Sequence, residues 1–162
     1  MGGKIFLGSF GVCVAFIALG ATVYFYRDAR LAETRGQVAA VRDVGYRQDC
    51  GACHMAYPPG LLPARSAVRL ISGAADHFGV RLDLSPARQD ALLEYMVSHA
   101  ADGAVHRYAR PLMHSVRASE PGPLRLTDIP YIRKIHRSVP ANGKFAACGG
   151  CHPRAEEGRF RP

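Results

Sequence analysis

Two short segments of this chain carry reactive residues at one spacing: Cys50-Gly51-Ala52-Cys53-His54 and Cys148-Gly149-Gly150-Cys151-His152. Two thiols three residues apart can form thioethers with the two vinyl groups of one porphyrin, and the histidine that follows is then set against the iron as its proximal ligand. Small residues between the cysteines let the backbone turn tightly. The competing chemistries are a four-cysteine zinc site and a pair of thioredoxin-like redox motifs. The pairs lie roughly 95 residues apart, far from compact zinc-ribbon spacing, and neither competitor requires histidine directly after both pairs. Thioredoxin-like motifs belong among alternating strands and helices, which this sequence lacks. The motifs therefore read as sites for two haem c groups, bound through Cys50, Cys53, Cys148 and Cys151 and ligated by His54 and His152.

The sixth ligands decide what such irons can do. A second histidine gives a lower potential than methionine, and an open position permits ligand binding or catalysis. Outside the motifs stand His77, His99, His106, His114 and His136, with Met55, Met96 and Met113 beyond the initiator. His77 ends a helical stretch with Leu70 and Gly73 on the same side, and His136 has aromatic and aliphatic neighbours shortly before the second motif. His99, His106 and His114 lie in polar or irregular surroundings and read as surface or capping residues, and Met96 reads as core.

The elements that must position these residues are helical. Val68, Ile71, Ala75 and Phe78 recur at helical spacing from Ala64 to Phe78, after Pro63 and before a left-handed stop at Gly79. A second helix is expected from Ser85-Pro86 through Leu92, Leu93, Met96 and Ala100 to near Gly103, and a short one from Asp128 and Pro130 carries Tyr131, Ile135 and His136 before Pro140, Asn142 and Gly143. Residues 103–123 are ambiguous, Tyr57 to Pro63 must be a loop, and no strand pattern appears. The expected fold is mainly α: short helices and loops packed around two haems, whose apolar faces supply the core that so small a domain lacks. The apo form should then be largely unfolded.

From Ile5 to Tyr26 the chain has no charged residue, with Lys4 before it and Arg27, Asp28 and Arg30 after. This is an N-terminal transmembrane or signal helix, and its length favours a retained anchor over a cleaved signal peptide. Cys13 within it reads as a small hydrophobe, acylation being the alternative. The organisation expected is signal or anchor over 1–27, tether over 28–45 with no evident core residue, and a dihaem domain over 46–162. The positive-inside rule would leave the C-terminal part in the cytoplasm, but c-type haem is attached outside it, and the chemistry outweighs the charge count. With 21 Lys and Arg against 13 Asp and Glu the formal charge is +8, and Lys4 is the one charge before Arg27. The excess arginines pair with propionates and solvate the surface, or form a docking face for an acidic redox partner. Scattered charge without a recognised motif excludes nucleic acid.

The segment from Cys50 to Ser66, His77-Phe78-Gly79, Ile129-Pro130 with His136-Arg137, and the segment from Cys148 to Gly158 together resemble the dihaem cytochrome c family of proteobacteria, the type that passes electrons to the sphaeroides haem protein. The resemblance covers roughly residues 46–160. It implies a periplasmic electron carrier and not an enzyme, with bis-histidine haems, a membrane cytochrome b and a small c-type cytochrome as partners, and His77 and His136 as the sixth ligands. Members of that family carry Trp after the Pro-Ala-x-Ser stretch, where this chain has Ala67 and no Trp anywhere. Two rival readings remain: a small peroxidase or gas-ligand reductase with one open haem site, and a haem subunit of a larger respiratory or photosynthetic membrane complex.

Overall fold

The computed structural model describes residues 19–24, 36–116, 121–139 and 147–160. The chain divides into two units, 1–36 and 37–162. In the first, residues 19–24 are helical, and the rest of the expected anchor lies outside the described residues. Among the described residues no helix is long and apolar enough to cross a membrane.

The second unit holds five α-helices among its described residues: α1 Val44–Cys50, α2 Ala64–Ser72, α3 Pro86–Ser98, α4 Ala109–Ser115 and α5 Pro130–Ile135. The described residues contain no strand, and their one isolated β-bridge is an antiparallel pairing of His77 with Val80. Each helix starts where local chemistry dictates. Asp43 caps α1 by accepting from Tyr46 N–H at 2.6 Å. Pro63 precedes α2, and the Asp102 carboxylate accepts the Ala64 N–H at 2.6 Å, a cap supplied from after α3. Ser85 caps α3 with Pro86 at its first position, and Pro130 opens α5 in the same way.

Two apolar clusters meet at Leu70. Val41, Tyr46, Ala67, Ile71, Leu92 and Met96 form one, with Cys50 against it. Leu62, Ala101, Leu112, Val116 and Ile129 form the other. Met96 is core, as its position in α3 suggests.

Several expectations are corrected. The helix read from Ala64 to Phe78 stops at Ser72, because Gly73 turns its N–H back to Arg69 O at 3.0 Å and Ala74–Asp76 tighten into a 3₁₀ turn. Its buried face is Ser66, Ala67 and Ile71, while Val68 and Phe78 are exposed. The second helix ends at Ser98, where His99 N–H caps back to Tyr95 O, and does not reach Gly103. Residues 37–43 are not bare tether. Val38 and Val41 are buried, and Val38 N–H donates to Gly158 O at 3.1 Å. Two valines with two alanines between them make too short an apolar run to read as a core face. The ambiguous stretch 103–123 contains α4, and the expected stop at Pro140 to Gly143 lies outside the described residues.

Candidate haem sites

The first motif begins on the last residue of α1. Gly51 N–H closes the helix onto Arg47 O at 2.9 Å, and the chain then turns through Ala52 and Cys53 to His54. Tyr46 anchors the return: its buried ring packs on Tyr95 with centroids 5.0 Å apart, and its hydroxyl donates to Tyr57 O at 2.8 Å. Tyr57 in turn lies on His54, with centroids 4.9 Å apart and planes at 23°. The His54 Nδ1 hydrogen bond with Met55 O, 2.7 Å, fixes the tautomer that leaves Nε2 free.

His77 is carried back to this turn. Its ring centroid lies 6.4 Å from that of His54, with planes at 25°. Burial foremost, then His54, holds the His77 imidazole below its usual pKa, which favours the neutral ring with a lone pair to offer.

The second motif is a 3₁₀ turn, Cys148–Gly150, in which His152 N–H returns to Cys148 O at 2.8 Å. A second turn, Ala155–Glu157, follows and ends at Gly158 in the left-handed conformation. His136, at the C-cap of α5, pairs its Nδ1 with Ile132 O at 2.9 Å and faces His152 with ring centroids 5.9 Å apart and planes at 85°. The Nδ1 of His152 is buried with no hydrogen-bond partner.

These arrangements fit iron porphyrin. A metal–imidazole bond of about 2 Å on each side, plus half a ring each way, puts two axial imidazoles roughly 6 Å apart between centroids. Both pairs have that spacing. A Cβ added at Gly149 or Gly150 would meet nothing within 4 Å, so the motif has open space beside it. Among the described residues no three or more His, Cys, Asp and Glu side chains gather closely enough to hold a metal ion, so the four cysteines do not form a zinc site. Nor are the Cys50 and Cys148 thiols activated. Burial pushes Cys50 up to about 11, Asp49 adds to this and Arg88 opposes it, and burial raises Cys148 as well. Reactive redox cysteines are shifted the other way.

The motifs, far apart in sequence, approach each other in space. A cavity of about 290 Å³ is lined by Arg47, His54 and Met55 from the first segment and by Glu156 from just after the second. Burial foremost, then the neighbouring Cys148, raises the Tyr57 pKa, so the residue stacked on His54 lies near the other motif.

The remaining histidines stay outside both pairs. His99 is an exposed cap on α3, its Nδ1 2.9 Å from Tyr95 O, and His114 is exposed. His106, read as a surface residue, is buried: it is 6% exposed, and its Nε2 donates to Gly60 O at 2.8 Å. The signal for it is the proline-rich loop itself, whose carbonyls need donors from elsewhere in the fold.

A family model described as dihaem cytochrome c matches residues 46–160. No curated protein matches the chain. Among solved structures, the diheme cytochrome c from Rhodobacter sphaeroides is 32% identical over 75% of this chain and 99% of that one, with a TM-score of 0.66. A second structure of the Rhodobacter sphaeroides protein is 31% identical over 75% and 99%, with a TM-score of 0.58. A diheme cytochrome type c from Shewanella baltica OS155 is 30% identical over 73% and 86%, with a TM-score of 0.55.

Proposed function

This chain belongs to the dihaem cytochrome c family, carries two covalent haem c groups and serves haem-based electron transfer; we propose that it does so as a bis-histidine carrier closed to substrates, with Cys50, Cys53 and His54 holding one haem and Cys148, Cys151 and His152 the other. His77 is the sixth ligand beside His54, and His136 the sixth ligand beside His152. The observation that carries this reading is the pairing of these four imidazoles at 6.4 and 5.9 Å.

Bound haem supplies an iron that cycles between ferric and ferrous states. The chain's own residues keep that change simple. His54 and His136 each have Nδ1 engaged by a backbone carbonyl, which aims Nε2 outward and holds the ring's orientation in both states. Tyr46 and Tyr57 brace the first motif from behind, and the cluster around Val41, Ile71, Leu92 and Met96 excludes water from the Cys50 side. With His54 and His77 holding one iron and His136 and His152 the other, no position would remain open to a substrate.

The carrier works in the periplasm, held at the membrane by the apolar N-terminal segment. Its donor is a membrane cytochrome b, and its acceptor a small c-type cytochrome such as the sphaeroides haem protein. The motif chemistry supports this placement, and the formal charge of +8 suits an acidic redox partner. A reductive titration with carbon monoxide present tests the proposal. Two reversible one-electron steps per chain and an unchanged low-spin ferrous spectrum support it; carbon monoxide binding at either haem overturns it.

A further inference from the structure

Residues 77–80 make a two-residue hairpin. His77 N–H donates to Val80 O at 2.7 Å, and Val80 N–H donates to His77 O at 3.2 Å. The two central residues have positive φ, 55° at Phe78 and 90° at Gly79. Such turns are normally filled by Asn-Gly or Gly-Gly, since glycine takes this conformation freely and a bulky side chain is strained in it. Among the described residues Phe78 is the one non-glycine residue with positive φ.

Strain of this kind persists only where the surroundings hold it, and it gathers at functional sites. Burial does not account for it here, because Phe78 is 44% exposed. What the ring does is specific. Its edge meets the His77 imidazole at 4.8 Å with planes at 66°, and the Arg125 guanidinium lies over its face at 4.0 Å, in cation–π contact. The turn below is fastened by Asp76, whose Oδ1 accepts the Gly79 N–H at 2.8 Å. Arg125 itself leads through the turn Leu126–Asp128 into α5, which His136 caps.

We propose that Phe78, pinned by Arg125, is a positioning residue whose ring holds the His77 imidazole in place and bars outside ligands from displacing it. This rests on the reading of His77 as an iron ligand. An outside ligand can reach the iron on that side only after His77 swings away. The swing requires the hairpin to move, and the Phe78 ring with Arg125 above it stands in the way. Arg125 also brings a fixed positive charge towards the same centre, which favours the reduced, less positive iron.

The test uses haem-loaded Phe78→Gly, Phe78→Tyr and Arg125→Gln, with His77→Ala as control. The readouts are carbon monoxide uptake by the ferrous protein, both midpoint potentials and the unfolding temperature. Glycine suits the backbone at position 78, so Phe78→Gly should unfold no earlier than the parent yet take up carbon monoxide at one haem, where the parent takes up none. Phe78→Tyr keeps the ring and should behave as the parent does. Arg125→Gln should lower one midpoint and leave the other in place. If His77→Ala makes one haem high-spin while Phe78→Gly stays inert to carbon monoxide with both midpoints unmoved, the positioning role is overturned and the ligand assignment stands. If His77→Ala leaves both haems low-spin, the ligand assignment is overturned and the positioning role with it.

Discussion

His136 and His152 face each other with ring centroids 5.9 Å apart and planes at 85°, whereas the planes of His54 and His77 are only 25° apart. Each pair is built differently. His136 is fixed by the end of α5, while His77 is fixed by a hairpin.

Near-parallel and near-perpendicular axial imidazoles split the iron d orbitals differently. The ferric protein is therefore expected to give two distinct low-spin paramagnetic resonance signals of equal weight, the second-motif haem being the more anisotropic. Two identical signals would contradict the difference in ring orientation.

Gly158 lies at φ 76° beneath the Val38 carbonyl, and a Cβ there would run into that oxygen. Gly158→Ala should lose ~2 kcal/mol or more of stability, from the left-handed backbone and the clash together. In a domain of this size that is a fall of roughly 5–10 °C in unfolding temperature. Thermal unfolding followed at the haem bands checks it, and an unchanged midpoint would show that residues 37–43 do not brace the C-terminal motif.

How far the site was legible before the fold was known follows from where its information sits. The two attachment motifs are local, so five consecutive residues declare each. The caps Ser85-Pro86 and Pro130 are equally local, and both helices begin there. Helix ends were harder to read, because Gly73 stops α2 while the apolar spacing runs on through Ala75 and Phe78. The partners of His54 and His152 could be named only through family resemblance, since nothing near His77 or His136 in sequence says which ring each will meet. His106 was misread for a similar reason: its acceptor, Gly60, lies 46 residues away.

That histidine gives a pH dependence. Burial foremost holds His106 below the ordinary histidine value of 6.5, with the Gly60 hydrogen bond opposing it. Its Nε2–H is committed to Gly60 O, and its buried Nδ1 has no partner, so protonation would place a proton where nothing accepts it. A histidine with a lowered folded pKa binds fewer protons folded than unfolded below pH 6.5. Its stabilising contribution is therefore complete above about 6.5 and shrinks as pH falls towards the lowered value. Denaturant midpoints of the haem-loaded protein at pH 7.5 and 5 should differ more than those of His106→Gln; equal differences would remove His106 as the cause.

The account stands or falls on an iron held between each pair of imidazoles, and single replacement of the two partners outside the motifs tests that most directly. In ferric spectra of haem-loaded His77→Ala and His136→Ala, each variant should convert one haem of the two to a high-spin form and leave the other low-spin. Spectra that remain fully low-spin in both variants would contradict it.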